Sequence, residues 1–600
     1  MRLKVVNIMM GFLLLLVGGL GMEKVSASES VNLTVLDFGA NGSDSVDDTA
    51  NLQAALDAAQ KYRSTTITVP DGTYLISKAL KIHSNTHLIL SSHAVIKRNA
   101  VFGPMLRNER GGPGYTGDHD IVIEGGTWDG NGQALSGKHT FDNLEFGHAS
   151  NVTVKNTNVL NDYGAHAIEF VGVQNGQVLN STINGYFHDD NFAKKEAIQL
   201  DITHNGTVSY PFGYYDDTPC RNITIQGNTI ENYSRGVGSH TTVKGVYPQY
   251  ITIQNNSFKN LTDEAVDALK FKDLSILNNT FENVGTGIYF ITVPSNPKAN
   301  YSPDNPIVPI YTDNHYAINI TGNRFDSVHK IPGRVGGKGI VFLGTSESSI
   351  EDVSIENNTI HHADGDGIYL AYTSQTVIKG NNVQSSKEYG LAIHHYSNDV
   401  KVDSNTITNN HSHGISVYAN ANASITNNII RDNLGSGISI STHSSSNEVD
   451  SNKIGNNGNY GIVLYRWSNL NTISHNVITQ SKYGIGVNSG SNQNQLKNNT
   501  IMGSQSHGVK LYGSSSNPVK SNVISGNTIS NSGQDGLYLV HANGTEVSRN
   551  KVTGANLNGI SVTNHSTAKL IKNKISKSKG HGIKISSSSK SFVGRNNSVS

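Results

Sequence analysis

The sequence predicts an all-β protein: a single-stranded right-handed parallel β-helix solenoid, with an N-terminal capping helix. Three observations predict it. A Gly-aliphatic pair returns every 23 or 24 residues, with one step of 28, at Gly367-Ile368, Gly390-Leu391, Gly414-Ile415, Gly437-Ile438, Gly461-Ile462, Gly484-Ile485, Gly508-Val509, Gly536-Leu537, Gly559-Ile560 and Gly582-Ile583. An Asn placed two residues before an aliphatic side chain keeps the same time, from Asn358, Asn381, Asn405 and Asn428 through Asn452, Asn476 and Asn499 to Asn527, Asn550 and Asn573. The composition favours short strands joined by tight turns: 61 Gly and much Asn, Ser, Thr and Ile, against 13 Pro and 2 Trp. Two features locked at one period make each repeat one winding of chain. The period is too short for a propeller blade, the Leu consensus of a leucine-rich repeat is missing, and a parallel β-helix with about three strands per coil fits.

In chain order, residues 1–27 read as a signal peptide. Arg2 and Lys4 precede the apolar run Ile8 to Leu20, and Val25-Ser26-Ala27 offers small residues for cleavage after Ala27. The alternative is an uncleaved anchor, for which the run is short of a span of about 20 residues. Residues 28–100 form the N-terminal cap and first coils. Asp47-Asp48-Thr49 caps a helix over Leu52 to Ala59, followed by strands at Thr65 to Val69 and Thr73 to Ser77 around the turn Pro70-Asp71-Gly72. Solenoid ends need such a cover against edge-to-edge pairing. Residues 101–345 form irregular coils, where the Asn register continues at Asn228, Asn256, Asn279 and Asn323. Two excursions interrupt them, His204 to Pro219 and Pro294 to Tyr316, and loops of that length in a solenoid wall a groove. Residues 346–600 form the regular repeats.

Charge and cysteine content exclude several functions. Lys plus Arg and Asp plus Glu each number 46, so no net field draws the chain to nucleic acid, and no further segment could cross a bilayer once the signal is removed. Cys220 is the only cysteine, which rules out an intramolecular disulfide and a cysteine-based metal site.

The segment Leu36 to Ser77, with DFGANGSDSVDDTANLQAALDAA and TTITVPDGTYLIS, resembles the N-terminal module of the pectate-lyase-like superfamily, which includes family 28 glycoside hydrolases, phage depolymerases and alginate C5-epimerases. The stretch IVIEGGTWDGNGQ (121–133) resembles an early coil of the same group, and the Gly-Ile and Asn-x-Ile half resembles β-helix repeats of the periplasmic copper-processing and carbohydrate-binding type. The resemblance implies an extracellular enzyme acting on a polysaccharide, commonly one containing uronate, and for pectate lyases it implies Ca2+ held by carboxylates. The sequence itself specifies no cofactor and no metal. Where alginate epimerases carry Tyr-Gly-Phe-Asp-Pro-His-Glu, this chain has Tyr163-Gly164-Ala165-His166-Ala167-Ile168-Glu169, so His166 stands at the Asp and Ile168 at the His. That departure speaks against epimerisation. Of the family 28 motifs only echoes occur, at Gly238-Ser239-His240 and Lys270-Phe271-Lys272.

Aligning coils on their aliphatic positions gives candidate site residues independently of motifs. His166, Glu196, Arg235 and Glu264 fall in one outward column, and Glu169, Gln199, Asp267 and Tyr289 in the next. Such groups perturb one another's protonation, as acid–base chemistry requires. Hydrolysis of a glycosidic bond uses two carboxyl groups, and Glu196 and Glu264 with Asp267, Glu169 or Asp201 are the candidates. A lyase would use Arg235, Lys270 or His240 as base. The bland alternative is a wet polar face with stacked ion pairs. Gln199, Lys270, Lys272, Tyr289 and Tyr215 are candidates for substrate binding. In the C-terminal coils, His394, Tyr418, Ser441, Tyr465, Asn488 and Tyr512 form a column in which Tyr418 and Tyr465 offer rings for sugars, or merely pack along an outer strand. The reading is a secreted enzyme that cleaves a polysaccharide by glycosidic hydrolysis. Lyase action by β-elimination and a non-catalytic carbohydrate-binding or adhesin solenoid are the alternatives, and the oligomeric state stays open.

Overall fold

The structure is a computed structural model describing residues 30–135, 142–188, 195–206, 210–243, 245–292, 314–330, 336–594 and 596–600. The expected signal peptide and most of the Pro294 to Tyr316 excursion lie outside the described residues. The described chain is a parallel β-helix, and every strand pairs in parallel with its equivalent in the next winding. A typical coil contains Ile438–Ser441, then Glu448–Asp450, then Lys453–Gly455. These belong to three stacks, called here front, side and back. Among the described residues the side stack is a sheet of 21 strands. Front and back merge into one sheet of 37 strands, because the long strands Ser257–Leu269 and Thr280–Ile291 run through both. Pairing passes without a break across residues 100 and 345. Among the described residues no helix is long and apolar enough to cross a membrane.

Alternation builds the tube. In Ile438–Ser441 the two isoleucines are buried in the common core, and the alternating Ser439 and Ser441 face outward. The Gly before each such strand has a steric cause. A Cβ on Gly437 would lie 2.6 Å from the Gly461 carbonyl oxygen and 2.7 Å from Ile454 Cγ2, and Gly414 and Gly461 meet the same obstacles. Between side and back stacks the chain turns through a left-handed residue, such as Asn427 (φ 58) or Gly380 (φ 65), which Asn and Gly tolerate best. The ladder Asn follows it. Asn428 Nδ2 and backbone N–H both donate to Asn452 Oδ1, at 2.9 Å each, and Nδ2 also donates to the Val402 carbonyl. The ladder runs unbroken from Asn228 to Asn597, so a buried amide at every winding is fully bonded.

The helix Thr49–Ala58 packs Leu52, Ala55 and Leu56 onto the first coils with Val35, Ile67 and Trp128. Its cap differs from expectation. Asp48 occupies the N-cap position but accepts from the Asn41 backbone N–H at 2.8 Å, and Asp47 accepts from the Thr49 N–H. Asp48 ties the incoming loop down instead of bonding the helix.

Candidate functional site

Strand pairing fixes the addresses of the candidate residues. On the front stack Ile168 pairs with Ile198, Ile198 with Val237, Val237 with Val266 and Val266 with Ile288. Two residues before each lie His166, Glu196, Arg235, Glu264 and Thr286, which therefore stack in one column. One residue after each lie Glu169, Gln199, Gly238, Asp267 and Tyr289, which stack in the next. Both columns point away from the tube's core, yet they are not a wet face. Glu196 has no exposure, and Glu169, Gln199, Glu264 and Asp267 are all buried. The bland alternative of a wet polar face does not hold here: rungs about 4.8 Å apart let each side chain screen its neighbours from water.

Arg235 ties the columns together. Its Nη1 lies 2.8 Å from Glu196 Oε1 and 2.8 Å from Asp267 Oδ2, and its Nε donates to Glu264 Oε2 at 2.8 Å. Gly238 makes the approach feasible, since a Cβ there would sit 2.9 Å from Asp267 Cβ and 3.1 Å from Glu196 Cγ. Asp201 closes one side, accepting from Ser239, Thr241 and the Gln199 amide at 2.8, 3.1 and 2.5 Å. His240 lies between Glu196 and Asp201, 3.6 Å from a carboxylate oxygen of each, with its side chain 40% exposed. The His166 ring stacks on His240 at 5.9 Å, and its Nδ1 lies 2.8 Å from the Glu196 carbonyl. Glu196 Oε2 and Gln199 Oε1 are buried without a hydrogen bond.

The charges differ sharply within this small volume. Burial opposes the Glu196 carboxylate, but His240, Arg235 and His166 outweigh it and hold the group well below the usual carboxylate range. Burial pushes Asp267 up to about 8 against the pull of Arg235, with Glu264 and Glu196 adding repulsion. His240 overcomes its burial through Asp201 and Glu196 and rises to about 9, while burial and Lys195 lower His166 to about 3 despite Glu196. Burial and the neighbouring Asp267 raise Tyr289 to about 12. Neighbouring environments thus leave one carboxyl ionised and one protonated at neutral pH.

Some expected residues lie elsewhere. The chain turns at Lys270 (φ 55), so Lys272 starts the side-stack strand Lys272–Leu277 and its Nζ lies 5.2 Å from the Tyr247 ring centre. Lys272 therefore does not join the cluster, because the corner at Lys270 carries it onto the side stack. Tyr215 is 51% exposed on the excursion after His204, whose Phe212 covers Gly147 so closely that a Cβ there would meet the ring at 2.1 Å. Tyr418 and Tyr465 do share the column reached through His394 and Ser441, and Tyr465 is exposed.

One coil upstream holds residues the sequence reading missed. Glu145 pairs with Glu169, and Asp142 accepts from the His166 backbone N–H at 2.9 Å. The signal was present: Leu144-Glu145-Phe146 repeats the pattern of Ile168-Glu169-Phe170. Asp142, Glu145 and Glu169 each offer an oxygen within 4.8 Å of the others, a donor set suited to a hard cation such as Ca2+. Burial and mutual repulsion raise Glu145 and Glu169 well above the usual range. His166, Glu196 and His240 also approach one another. They fit a cation poorly, because Arg235 already holds Glu196 and His240 carries its own proton.

Comparison with known proteins follows the same division of the chain. A family model described as rhamnogalacturonase A/epimerase, pectate lyase-like, matches residues 32–289, and one described as a right handed beta helix region matches residues 338–501 and 484–600. The plasmin and fibronectin-binding protein A of Streptococcus pneumoniae is 31% identical over 287 residues, 42% of this chain and 40% of that protein. The chain thus spans about two fifths of the curated relative it matches. Among solved structures, the S. pneumoniae surface protein and adhesin PfbA is similar over 94% of this chain and 100% of its own, at 18% identity and a TM-score of 0.39. A hyperthermoactive exopolygalacturonase from Thermotoga maritima is similar over 65% of this chain and 91% of its own, at 13% identity and a TM-score of 0.41.

Proposed function

The chain is a pectate-lyase-like right-handed parallel β-helix protein, and from that premise we propose a secreted enzyme that cleaves a polysaccharide by glycosidic hydrolysis. The substrate class is a uronate-containing or bacterial exopolysaccharide. One observation carries the reading: a single guanidinium nitrogen binds Glu196 and Asp267 at 2.8 Å each, while their surroundings drive their protonation apart. A glycosidase needs such a split pair. Asp267 is the general acid that protonates the leaving oxygen, and Glu196 is the carboxylate that attacks or activates water. Their bonded oxygens lie no more than two such contacts apart, which favours the roughly 5 Å pair of a retaining enzyme over the ~6.5–9.5 Å pair of an inverting one. Arg235 and Glu264 position the pair.

β-Elimination fits less well. It needs an uncharged base, whereas Arg235 stays charged and His240 is protonated up to about 9. The test is release of reducing ends from a panel of polyuronates and exopolysaccharides, with ultraviolet absorbance reporting unsaturated products. Glu196→Gln and Asp267→Asn should each reduce turnover at least about a hundredfold, with unchanged circular dichroism. Full activity in both variants would remove these residues from the chemistry.

An adhesin reading has its own support, the 31% identity to a plasmin and fibronectin-binding protein, which also supports a location at or beyond the cell surface. Immobilised plasmin and fibronectin separate the two. Tight capture of the chain together with no turnover of any glycan would favour adhesion.

A further inference from the structure

We propose a second glycan subsite at the corner between front and side stacks, holding one uncharged pyranose unit of the polysaccharide; it rests on the hydrolase reading above. An open depression of about 270 Å³ is lined by Thr345, Ser346, Ser349, Tyr372 and Tyr396. That is slightly under the ~300 Å³ at which pockets begin to hold drug-sized ligands, so it suits a single small ring. Its lining supplies what a neutral sugar uses: aromatic faces for the C–H side of the ring and hydroxyls for its O–H groups, with no charged side chain. Tyr372 and Tyr396 stack at 5.7 Å and 24°, and Tyr396 is 55% exposed. The His395 ring stacks on Tyr372 at 6.2 Å and stiffens the platform.

Tyr372 (φ 53) and Tyr396 (φ 58) turn the corner in left-handed conformations, as Asn420 (φ 61), His443 (φ 61), Trp467 (φ 58) and Gly490 (φ 75) do in the following coils. The corner thus admits rings of this size, and the tyrosines stack there as His443 and Trp467 do further along.

The depression lies within reach of the carboxyl pair. Asp267, Tyr289, Val341 and Tyr369 occupy one column in consecutive coils, and Tyr372 follows three residues after Tyr369. Three rises of the helix, about 14 Å along the axis, and three residues along the chain, about 10 Å across it, separate the two places, which a short oligosaccharide spans. The half-buried rings of Tyr289 and Tyr369 floor the path between them. The glycan therefore carries a neutral residue a few units from the cleaved bond.

Calorimetric titration of the Glu196→Gln chain with cello-, manno-, galacto- and N-acetylchito-hexaose tests this, with hexagalacturonate as the charged comparison. At least one neutral hexaose should bind. Tyr396→Ala should weaken it about three- to tenfold and Tyr396→Phe should not. Tyr396→Asn should match the Ala variant while suiting the left-handed corner, so a folding defect in one variant leaves the other to decide. Binding by none of the neutral hexaoses, or binding indifferent to Tyr396, would overturn the subsite. Tyr396-dependent binding without hydrolysis by the wild-type chain would leave the subsite standing and remove the hydrolase reading.

Discussion

Arg235 holds three buried carboxyl groups, and its replacement exposes how much the cluster depends on one cation. Arg235→Gln should cost about 3–5 kcal/mol in urea denaturation, because it leaves Glu196 and its neighbours buried without a partner. A cost under about 1 kcal/mol would show that water reaches these groups freely. Asp267 sets the pH behaviour. It keeps its proton up to about 8, whereas an unfolded Asp releases it near 4, so the folded state binds more protons between those values. Its contribution to stability is complete below about pH 4 and is lost as the pH rises through about 8. Tm should fall from neutral to alkaline pH, less so in Asp267→Asn, and turnover that uses the Asp267 proton should fall over the same interval. At this scale, which residues stack was legible, because the aliphatic positions beside them repeat. Burial was not, since it depends on what neighbouring coils place over a side chain. Gly238 was read as part of a motif echo, while its real use, admitting Asp267 beside Glu196, appears only once the coils are packed.

The ladder asparagines and the stacked glycines hold the windings at their spacing. Asn428→Ala removes the acceptor for the Asn405 N–H and amide and the donor to the Val402 carbonyl, and should cost about 3 kcal/mol. Gly437→Ala and Gly380→Ala make an informative pair. The first drives a methyl into the carbonyl of the next coil and should cost about 3 kcal/mol. The second meets only the Asn357 side-chain amide, pays for a left-handed φ, and should cost about 1 kcal/mol. Equal costs would deny the steric role of the Gly437 column. Both periodicities could be read from sequence, because a stacked fold repeats its constraint at every winding. The helix was equally legible, but its cap was not. Asp47 and Asp48 are adjacent acids, and only the loop from Asn41 decides which one the helix keeps. Lys272 misled for a related reason: the corner between it and the cluster has no periodic signature.

At the scale of the molecule the solenoid is nearly one-dimensional, and each coil touches only its neighbours. Deleting residues 429–452 removes one winding and rejoins Asn428 to Lys453, so the ladder closes on Asn476. The shortened chain should fold and keep its turnover, whereas deleting residues 429–440 should not fold, because it displaces every later side chain from its stack. The central claim is that Glu196 and Asp267, held by Arg235, act as nucleophile and acid on a glycosidic bond. Mass spectrometry of products formed in oxygen-labelled water measures it most directly. The wild-type chain should yield saturated oligosaccharides with one labelled oxygen at the new reducing end, and Glu196→Gln should yield almost none. Unsaturated products without label, or no cleavage of any glycan in the panel, would contradict the account.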